Sequence, residues 1–352
     1  MTLTVSVVST ARTLPRPAQN ARAKWSERES CIITLQSDDG ARGQGEAAPL
    51  PGFSPDSLPA CQHALAALDL TGIAARLAPG QDLIGELGRA SSRIPPHLPA
   101  ARTALEGALL DLWGRAAGAP AWALLLKKTS SAPASRSVAA LLDGDPEQAL
   151  AQALAARARG ITTFKVKIGR PGAFSRELAA VQGLRAELGP SVRLRLDANQ
   201  TLNLGQAKQY LPLLLACDLE FIEEPCAPHE LSELRELGMP CALDESLATG
   251  ARPQAGDPAV ILKPTLVGGV SACFDLARTA HQVGAQVVVS HAFEGPIGLA
   301  LSAALALSIG SETLAHGLDL ESTSLEPPSL PGFAEAKIVA WLEPGFGIAE
   351  RP

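Results

Sequence analysis

Apolar and polar residues alternate in two short runs near the N-terminus, Leu3–Val8 and Cys31–Gln36, and this spacing predicts two strands. Residues 45–54 contain two glycines and two prolines, which predict a loop. The Pro49–Phe53 part of that loop is unusually apolar for an exposed segment. Farther along, the alanine- and leucine-rich segment Pro99–Leu126 has helical spacing.

From about Arg136 the pattern changes to short β-rich runs that alternate with helical stretches, which is typical of βα units around a parallel sheet. Seven such units favour a closed barrel over an open sheet, because barrels have about eight. An eighth strand is expected near Thr313–Leu318. The seven predicted strands are Ser137–Leu142, Thr163–Ile168, Val192–Asp197, Leu219–Glu223, Cys241–Asp244, Val260–Lys263 and Gln286–Ser290.

The two ends of the chain do not follow this rhythm. We therefore predict an α/β protein in which residues 101–319 form a (β/α) barrel and residues 1–100 form an α+β capping domain. The C-terminal tail, about 320–352, contains the extended run Ile338–Leu342 and is expected to complete the capping domain.

Composition narrows the function classes. The chain is 46% hydrophobic and 19% charged, which is enough apolar material for a large core and argues against disorder. Its net charge of −6 and single tyrosine argue against nucleic-acid binding. The most membrane-like run, Leu299–Ile309, is too short to span a bilayer and is expected to be a buried helix. Six cysteines without a C-x-x-C pair, and an N-terminus unlike a signal peptide, predict reduced thiols and a cytoplasmic location.

Charged residues end five consecutive barrel-type runs, in the order Lys167, Asp197, Glu223, Asp244 and Lys263. Strand ends converge on one mouth of a barrel, so three carboxylates should meet there between two lysines. Carboxylates that close repel each other unless a cation lies among them, and hard oxygen ligands suit Mg²⁺. A single charged strand end is usually a solvated rim group, but five in succession are harder to explain in that way. A non-catalytic barrel remains the alternative.

The motifs around these positions resemble those of the enolase superfamily, muconate-lactonizing subgroup, whose fold is a modified TIM barrel with a capping domain. The flanks, including Gly45–Ser54 and Ile261–Gly268, are most similar to those of the o-succinylbenzoate synthase family. The motifs are Lys165-x-Lys167, Asp197-Ala198-Asn199, Glu223-Glu224-Pro225, Asp244-Glu245-Ser246 and Lys263-Pro264-Thr265.

The resemblance implies a role for each motif residue. Lys167 would remove the proton α to the substrate carboxylate and help the β-hydroxyl leave from the same face, and Lys263 would stabilise the enediolate from the opposite side. Lys165 would disfavour the protonated form of Lys167 by like-charge repulsion. The implied metal ligands are Asp197, Glu223 and Asp244, and the implied ligand-orienting residues are Asn199 and Glu245.

The implied activity is that of a Mg²⁺-dependent carbon–oxygen lyase, with Mn²⁺ as an alternative ion. Such an enzyme dehydrates 2-succinyl-6-hydroxy-2,4-cyclohexadiene-1-carboxylate to o-succinylbenzoate in menaquinone biosynthesis. A dipeptide epimerase or N-succinylamino acid racemase of the same subgroup is the alternative, because those enzymes share the five charged positions. The expected partner is a small carboxylate substrate, with neither nucleic acid nor membrane, and homo-oligomerisation stays open.

Substrate contacts are expected from the apolar loop and from the last strands. Phe53 would enclose the substrate, Ser290 would touch it, and Gly317 would offer a backbone N–H to a carboxylate. His291 and Phe293 stand where a serine-rich segment would be expected from the family. A role for His291 as an acid or base is the weaker interpretation, because Lys263 already occupies the opposing position.

Overall fold

The computed structural model describes residues 2–19, 24–126, 135–323, 325 and 330–348. Its N-terminal part contains a three-stranded antiparallel sheet in the order β1-β2-β3. These strands are β1 Leu3–Gln19, β2 Lys24–Ser37 and β3 Arg42–Ala47. The first two contain the two predicted runs and extend well beyond them, because they pair along most of their length.

Strand β3 corrects the prediction that residues 45–54 are entirely a loop, because Gly45 and its two successors belong to a strand. The physical reason is a close approach between that strand and a helix. A Cβ at Gly45 would lie 1.8 Å from the carbonyl O of Ala104, and one at Gly43 would lie 2.3 Å from that of Ala108. Glycine therefore serves here to bring two backbones together, not to break a strand.

Four helices follow the sheet. The predicted helical segment Pro99–Leu126 is confirmed, but it forms two helices because Gly118 adopts a left-handed conformation that ends the first. The four helices are α1 Leu58–Ala66, α2 Leu83–Ser91, α3 Pro99–Ala117 and α4 Ala121–Leu126.

The following strands form a closed ring of parallel pairings. Strands β5 to β9 form one sheet, and an isolated bridge between Leu243 and Val260 joins it to the pair β10–β11. Bridges at His316 and Gly317 close the ring, so the predicted eighth strand is present only as these two pairings. Strand β4, Arg136–Ser137, precedes the ring. The strands of the ring are β5 Ala140–Leu142, β6 Thr163–Lys167, β7 Arg193–Asp197, β8 Leu219–Glu223, β9 Cys241–Ala242, β10 Ala259–Leu262 and β11 Gln286–Val289.

Helices connect these strands and surround the ring, which confirms the predicted barrel. They are α5 Pro146–Ala158, α6 Phe174–Leu188, α7 Leu204–Leu215, α8 Leu231–Glu236, α9 Glu245–Ala248, α10 Pro264–Val267, α11 Val270–Gln282 and α12 Pro296–Ile309. Helix α12 contains the run expected to be buried, and most of its side chains are buried. Within the described residues, no helix combines the length and the hydropathy needed to cross a membrane.

The described part of the C-terminal tail lies against α3, α4 and β4. Two short strands, β12 Phe333–Ala334 and β13 Lys337–Ile338, pair with each other, and β13 also pairs with β4. The predicted division at residue 100 falls at the beginning of α3, whose Thr103 donates a hydrogen bond to the carbonyl of Pro264 at 2.7 Å. The two domain bounds stay a prediction, and part of the tail lies outside the described residues.

All six cysteines are free and buried, as expected for packed thiols. Burial raises the pKa of Cys31 to about 11 and that of Cys226 to about 12. The folded chain therefore keeps these thiols protonated at neutral pH.

A candidate metal and acid–base site at the barrel mouth

The register of three neighbouring strands places charged residues side by side. Lys167 at the end of β6 pairs with Asp197 at the end of β7, and Asp197 pairs with Glu223 at the end of β8. Asp244 lies two residues beyond the end of β9. Because side chains alternate along a strand, Lys165 and Lys167 lie on the same face. The structure thus brings together at one mouth the residues predicted to do so.

Three of these residues form an acidic triad: Asp197, Glu223 and Asp244. One carboxylate oxygen from each lies within 4.8 Å of the other two. Their exposed fractions are 0%, 2% and 3%, so water cannot screen their mutual repulsion. Three converging hard oxygen donors in a buried site fit a divalent cation such as Mg²⁺.

Three lysines contact this triad. Lys165 Nζ lies 2.8 Å from Asp197 Oδ2 and also donates to Glu223. Lys167 Nζ lies 2.7 Å from the same Asp197 oxygen. Lys263 donates to Asp244. Each of the three carboxylates is therefore in contact with at least one lysine.

The charges perturb one another strongly. Burial lowers the pKa of Lys165, but the carboxylates of the triad outweigh it, and the pKa lies above its usual range. For Asp197, burial raises the pKa, but the lysines outweigh it and hold it well below its usual range. Burial raises the pKa of Glu223 despite the contact with Lys165. Clusters of perturbed groups in a cleft are typical of active sites.

Asn199 links Lys167 to a buried glutamate. Its side chain accepts a hydrogen bond from Lys167 Nζ at 2.9 Å and donates one to Glu245. Its backbone N–H donates to Asp197 Oδ1 at 2.9 Å, and the residue has a φ of 44°. Burial, followed by the charge of Asp244, raises the pKa of Glu245 to about 8. Both predicted orienting residues thus lie beside the triad, and their roles stay predictions.

Glu224 is a buried residue that the sequence analysis did not single out. Its carboxylate accepts hydrogen bonds from the backbone N–H of Asp244 at 2.6 Å and from that of Ser246 at 3.0 Å. Gln200 donates to its other oxygen at 2.9 Å. Glu224 therefore fixes the backbone that carries Asp244. A doubled glutamate before proline was the available signal, but it does not show which partner the second glutamate has.

A cavity opens above the charged residues and has an apolar roof. Trp25, Leu50 and Phe53 line it from the N-terminal region, and Phe293 lines it from the barrel. The same four residues, with Leu14, form a separate hydrophobic cluster. The ring of Phe53 lies 5.5 Å from Lys263 Nζ, which places the predicted loop residue at the site. We call the segment of residues 48–54 the capping loop.

Ser290 and Gly317 both line the cavity, but the predicted role of Gly317 is wrong in one respect. Its N–H donates to the carbonyl of Val289 at 2.9 Å within the barrel pairing, so it does not offer that N–H to a substrate. Ser290 Oγ donates to the carbonyl of Gly317 at 3.2 Å. A Cβ at Gly317 would lie 2.4 Å from Ser290 Oγ, so a glycine at this position leaves room for the serine.

His291 also lines the cavity. Its Nδ1 accepts a hydrogen bond from the N–H of Phe293 at 3.0 Å, and the two rings meet edge to face with centroids 5.2 Å apart. Burial lowers the pKa of His291 to about 4. The imidazole is therefore neutral at pH 7.

Arg195 is a second functional candidate that the sequence analysis missed. It lies on the inward face of β7, two residues before Asp197, and lines the cavity although it is only 2% exposed. Its guanidinium donates to Glu220 at 2.5 Å and to the carbonyl of Ala315 at 2.7 Å, whereas its buried Nη2 has no hydrogen-bond partner among the described residues. A buried, unpaired donor is costly, so this nitrogen is a candidate to bind an anionic group. The alternation of Arg193-Leu194-Arg195-Leu196-Asp197 was the available signal.

Comparisons with known proteins cover nearly the whole chain. Residues 2–125 match the family model for the mandelate racemase / muconate lactonizing enzyme N-terminal domain, and residues 148–349 match the enolase C-terminal domain-like model. The o-succinylbenzoate synthase of Yersinia enterocolitica is 32% identical, with 80% of each chain covered. That of Klebsiella pneumoniae is 32% identical, with 83% of each chain covered.

Solved structures show the same architecture. A dipeptide epimerase from Methylococcus capsulatus, complexed with Mg and the dipeptide L-Arg-D-Lys, is 25% identical with a TM-score of 0.83 and covers 99% of each chain. The muconate lactonizing enzyme from Pseudomonas fluorescens, complexed with muconolactone, is 24% identical with a TM-score of 0.82 and covers 98% of this chain and 95% of the other. Similarity at the latter level shows the fold alone.

Proposed function

The chain belongs to the enolase superfamily, and on that premise we propose that it is an o-succinylbenzoate synthase. The reaction is the syn-dehydration of 2-succinyl-6-hydroxy-2,4-cyclohexadiene-1-carboxylate to o-succinylbenzoate, a step of menaquinone biosynthesis in the cytoplasm. The buried acidic triad between lysines carries this proposal. The curated relatives at 32% identity favour this reaction within the superfamily.

Asp197, Glu223 and Asp244 would hold the ion, for which we propose Mg²⁺ with Mn²⁺ as an alternative. When bound, the ion neutralises the charge that a substrate carboxylate gains on loss of its α-proton. The triad would hold an ion in this way because all three carboxylates are withdrawn from water.

Lys167 would be the base. Its Nζ would take the α-proton, and the resulting ammonium would give that proton to the departing β-hydroxyl, so that water leaves from the same face and the ring becomes aromatic. Asn199 would hold Nζ in position through its side-chain oxygen, 2.9 Å away. Lys263 would stabilise the enediolate oxygens electrostatically.

The second carboxylate of this substrate needs its own partner. Arg195 would supply it, because its buried Nη2 has no hydrogen-bond partner in the part of the chain that the structure describes and the residue lines the cavity. The apolar roof of Trp25, Leu50, Phe53 and Phe293 would cover the ring and exclude water. Ser290 would lie beside the substrate, on the barrel wall.

Turnover of the cyclohexadiene substrate, followed by ultraviolet absorbance, tests the proposal. The purified protein with Mg²⁺ should aromatise the substrate, and a chelator should stop the reaction. Lys167→Ala should be inactive although folded. No turnover by a folded, metal-loaded protein would contradict the proposal.

A dipeptide epimerase or N-succinylamino acid racemase is the second candidate. Asp319 and Glu321 line the same cavity and would suit the ammonium group of a dipeptide, although Arg159 already contacts both carboxylates. Epimerisation needs Lys167 and Lys263 to exchange the α-proton on opposite faces. Incubation with dipeptides and N-succinylamino acids in heavy water distinguishes the two candidate functions. An epimerase or racemase would incorporate deuterium at Cα and invert the configuration of that carbon.

A further inference from the structure

A partly buried arginine on β1 and a buried arginine on β2 lie opposite each other, away from the acidic triad. Arg12 pairs in register with Arg28, and we call them the arginine pair. Arg28 is 4% exposed. The proposed reaction uses neither residue, so the burial of Arg28 and the partial burial of Arg12 need another explanation.

Arg28 holds the capping loop. It donates to the carbonyl of Ala48 at 2.7 Å and to that of Pro49 at 2.9 Å. These residues begin the loop that carries Leu50 and Phe53 into the cavity roof. Arg28 Nε also lies 3.4 Å from the carbonyl of Phe293, which belongs to the barrel.

Arg12 holds the barrel side of the same roof. It donates to the carbonyl of Phe293 at 2.9 Å, to that of Glu294 at 2.8 Å and to that of Thr323. We call residues 292–298, which follow β11 and begin α12, the barrel loop. Phe293 stands there at a φ of 61°, a conformation that needs support in a residue other than glycine. Both arginines thus meet at the carbonyl of Phe293.

Two glutamates complete the arrangement. Glu46, on β3, accepts hydrogen bonds from the N–H of Gly295 at 2.8 Å and from that of Gly298 at 3.0 Å. Glu294 accepts one from the N–H of Ala292 at 2.7 Å. Burial lowers the pKa of Arg28, and the charges of Glu294 and Glu46 counteract that effect. The carboxylates therefore stabilise two like charges that would otherwise repel each other.

We propose that Arg12 and Arg28 are positioning residues that fix the capping loop and the barrel loop in one arrangement, so that the two halves of the cavity roof open and close together. A guanidinium suits this role because its planar fork can donate to several carbonyls at once, which an ammonium on a flexible stem does less well. All the acceptors are backbone carbonyls, so the loops can change side chains without losing the contacts. The inference concerns the fold of the site and does not depend on the proposed reaction.

Hydrogen exchange of the full chain without substrate, read by mass spectrometry over peptides of both loops, tests the coupling. The reporters are the N–H groups of Phe53 and Ser54, which donate to the carbonyl of Leu50, and those of Ala292 and Phe293. Arg12→Met and Arg28→Met should each raise exchange in both loops on the order of tenfold. The double variant should raise it little further, because either single change already separates the loops.

The matched control is Arg185→Met. Arg185 also donates to backbone carbonyls, those of Cys217, Gly189, Val192 and Asp218, but at the opposite end of the barrel strands. This variant should leave exchange in both loops unchanged. If a methionine variant fails to fold, Arg12→Lys and Arg28→Lys take the place of the methionine variants in the same comparison of single and double variants. Thermal unfolding checks that each variant is folded.

Two results would overturn the proposal. One is that each variant loosens only the loop that its own arginine contacts. The other is that the two increases multiply in the double variant, since independent effects behave in that way. An increase shared by both loops and not multiplied in the double variant would support the proposal.

Discussion

The floor and the roof of the cavity are built on different principles. On the floor, charged side chains contact one another directly, as Lys167 does with Asp197, and they stand at the ends of paired strands. In the roof, apolar side chains such as Phe53 stand on loops, and the arginine pair holds those loops by their backbone. This difference suits two separate tasks in the proposed function. Strands would place the groups that move a proton, and loop residues would shape the space for the substrate.

The largest effect should come from the floor. Lys167→Ala should lower kcat by about three orders of magnitude or more, because it removes the proposed general base. Lys208→Ala removes a lysine of an exposed ion pair with Glu233 and should stay within about twofold of the parent, since such pairs contribute little. Initial rates of aromatisation at saturating Mg²⁺ measure both. A Lys167→Ala enzyme with a tenth of the parent rate would remove this lysine from the chemistry.

The second largest expected effect is on the affinity for the metal ion. Asp197→Asn should weaken Mg²⁺ binding by roughly a hundredfold, because it removes a charged oxygen donor from the centre of the triad. Asp275→Asn, at an exposed carboxylate that pairs with Arg278, should leave it unchanged. Titration calorimetry with Mg²⁺ gives both affinities without substrate. Equal affinity in Asp197→Asn and the parent would favour a barrel without this metal site.

A change in the roof should affect substrate binding more than chemistry. Phe53→Ala should raise KM by about tenfold and lower kcat by less than about threefold, because in the proposed function the ring encloses the substrate and takes no part in proton transfer. Phe274→Ala, at a partly buried phenylalanine away from the site, serves as the control. If kcat falls as much as KM rises, the contrast between floor and roof fails at this residue.

The smallest expected effect concerns acid stability. Because the pKa of His291 is lowered to about 4 in the folded chain and is about 6.5 in an unfolded one, the unfolded state takes up the proton first as the pH falls. The residue's contribution is fully present above about pH 6.5 and is lost towards pH 4. From pH 7 to pH 5 it should lower the free energy of unfolding by about 1–2 kcal/mol.

Denaturant unfolding of the parent and of His291→Asn at both pH values measures this contribution. The variant should lose less stability on acidification than the parent. His229→Asn, at an exposed position, should lose as much free energy of unfolding between the two pH values as the parent does. Identical pH dependence in all three proteins would contradict the burial argument for His291.

The sequence predicts the floor better than the roof. Strand ends such as Asp197 and Glu223 are visible because the alternation of short strands and helices gives a barrel, and a barrel brings those ends together. Glu224 and Arg195 escape notice, because their functional contacts depend on partners from other strands and loops that no local pattern reveals. The error at Gly45 has the same origin, since only the distant backbone of Ala104 explains why a glycine stands in that strand.

The roof depends still more on distant contacts. Arg12 and Phe293 are separated by 281 positions in the chain. Arg12 lies beyond the predicted strand Leu3–Val8, and no local pattern there indicates a partner in the barrel. The N–H of Gly317 was assigned to the substrate because the sequence does not show that the barrel pairing already uses it. Sequence periodicity thus predicts the elements, and the contacts between loops require the folded chain.

The buried cysteines are natural probes of the order in which parts of the chain unfold. Because burial keeps these thiols protonated and out of reach, an alkylating reagent can modify them only when the surrounding structure opens. Cys31 and Cys61 report on the N-terminal sheet and its first helix, and the other four report on the barrel. Pulse labelling followed by peptide mass mapping would therefore show, without any engineered probe, whether the two parts of the molecule come apart in one step or in sequence.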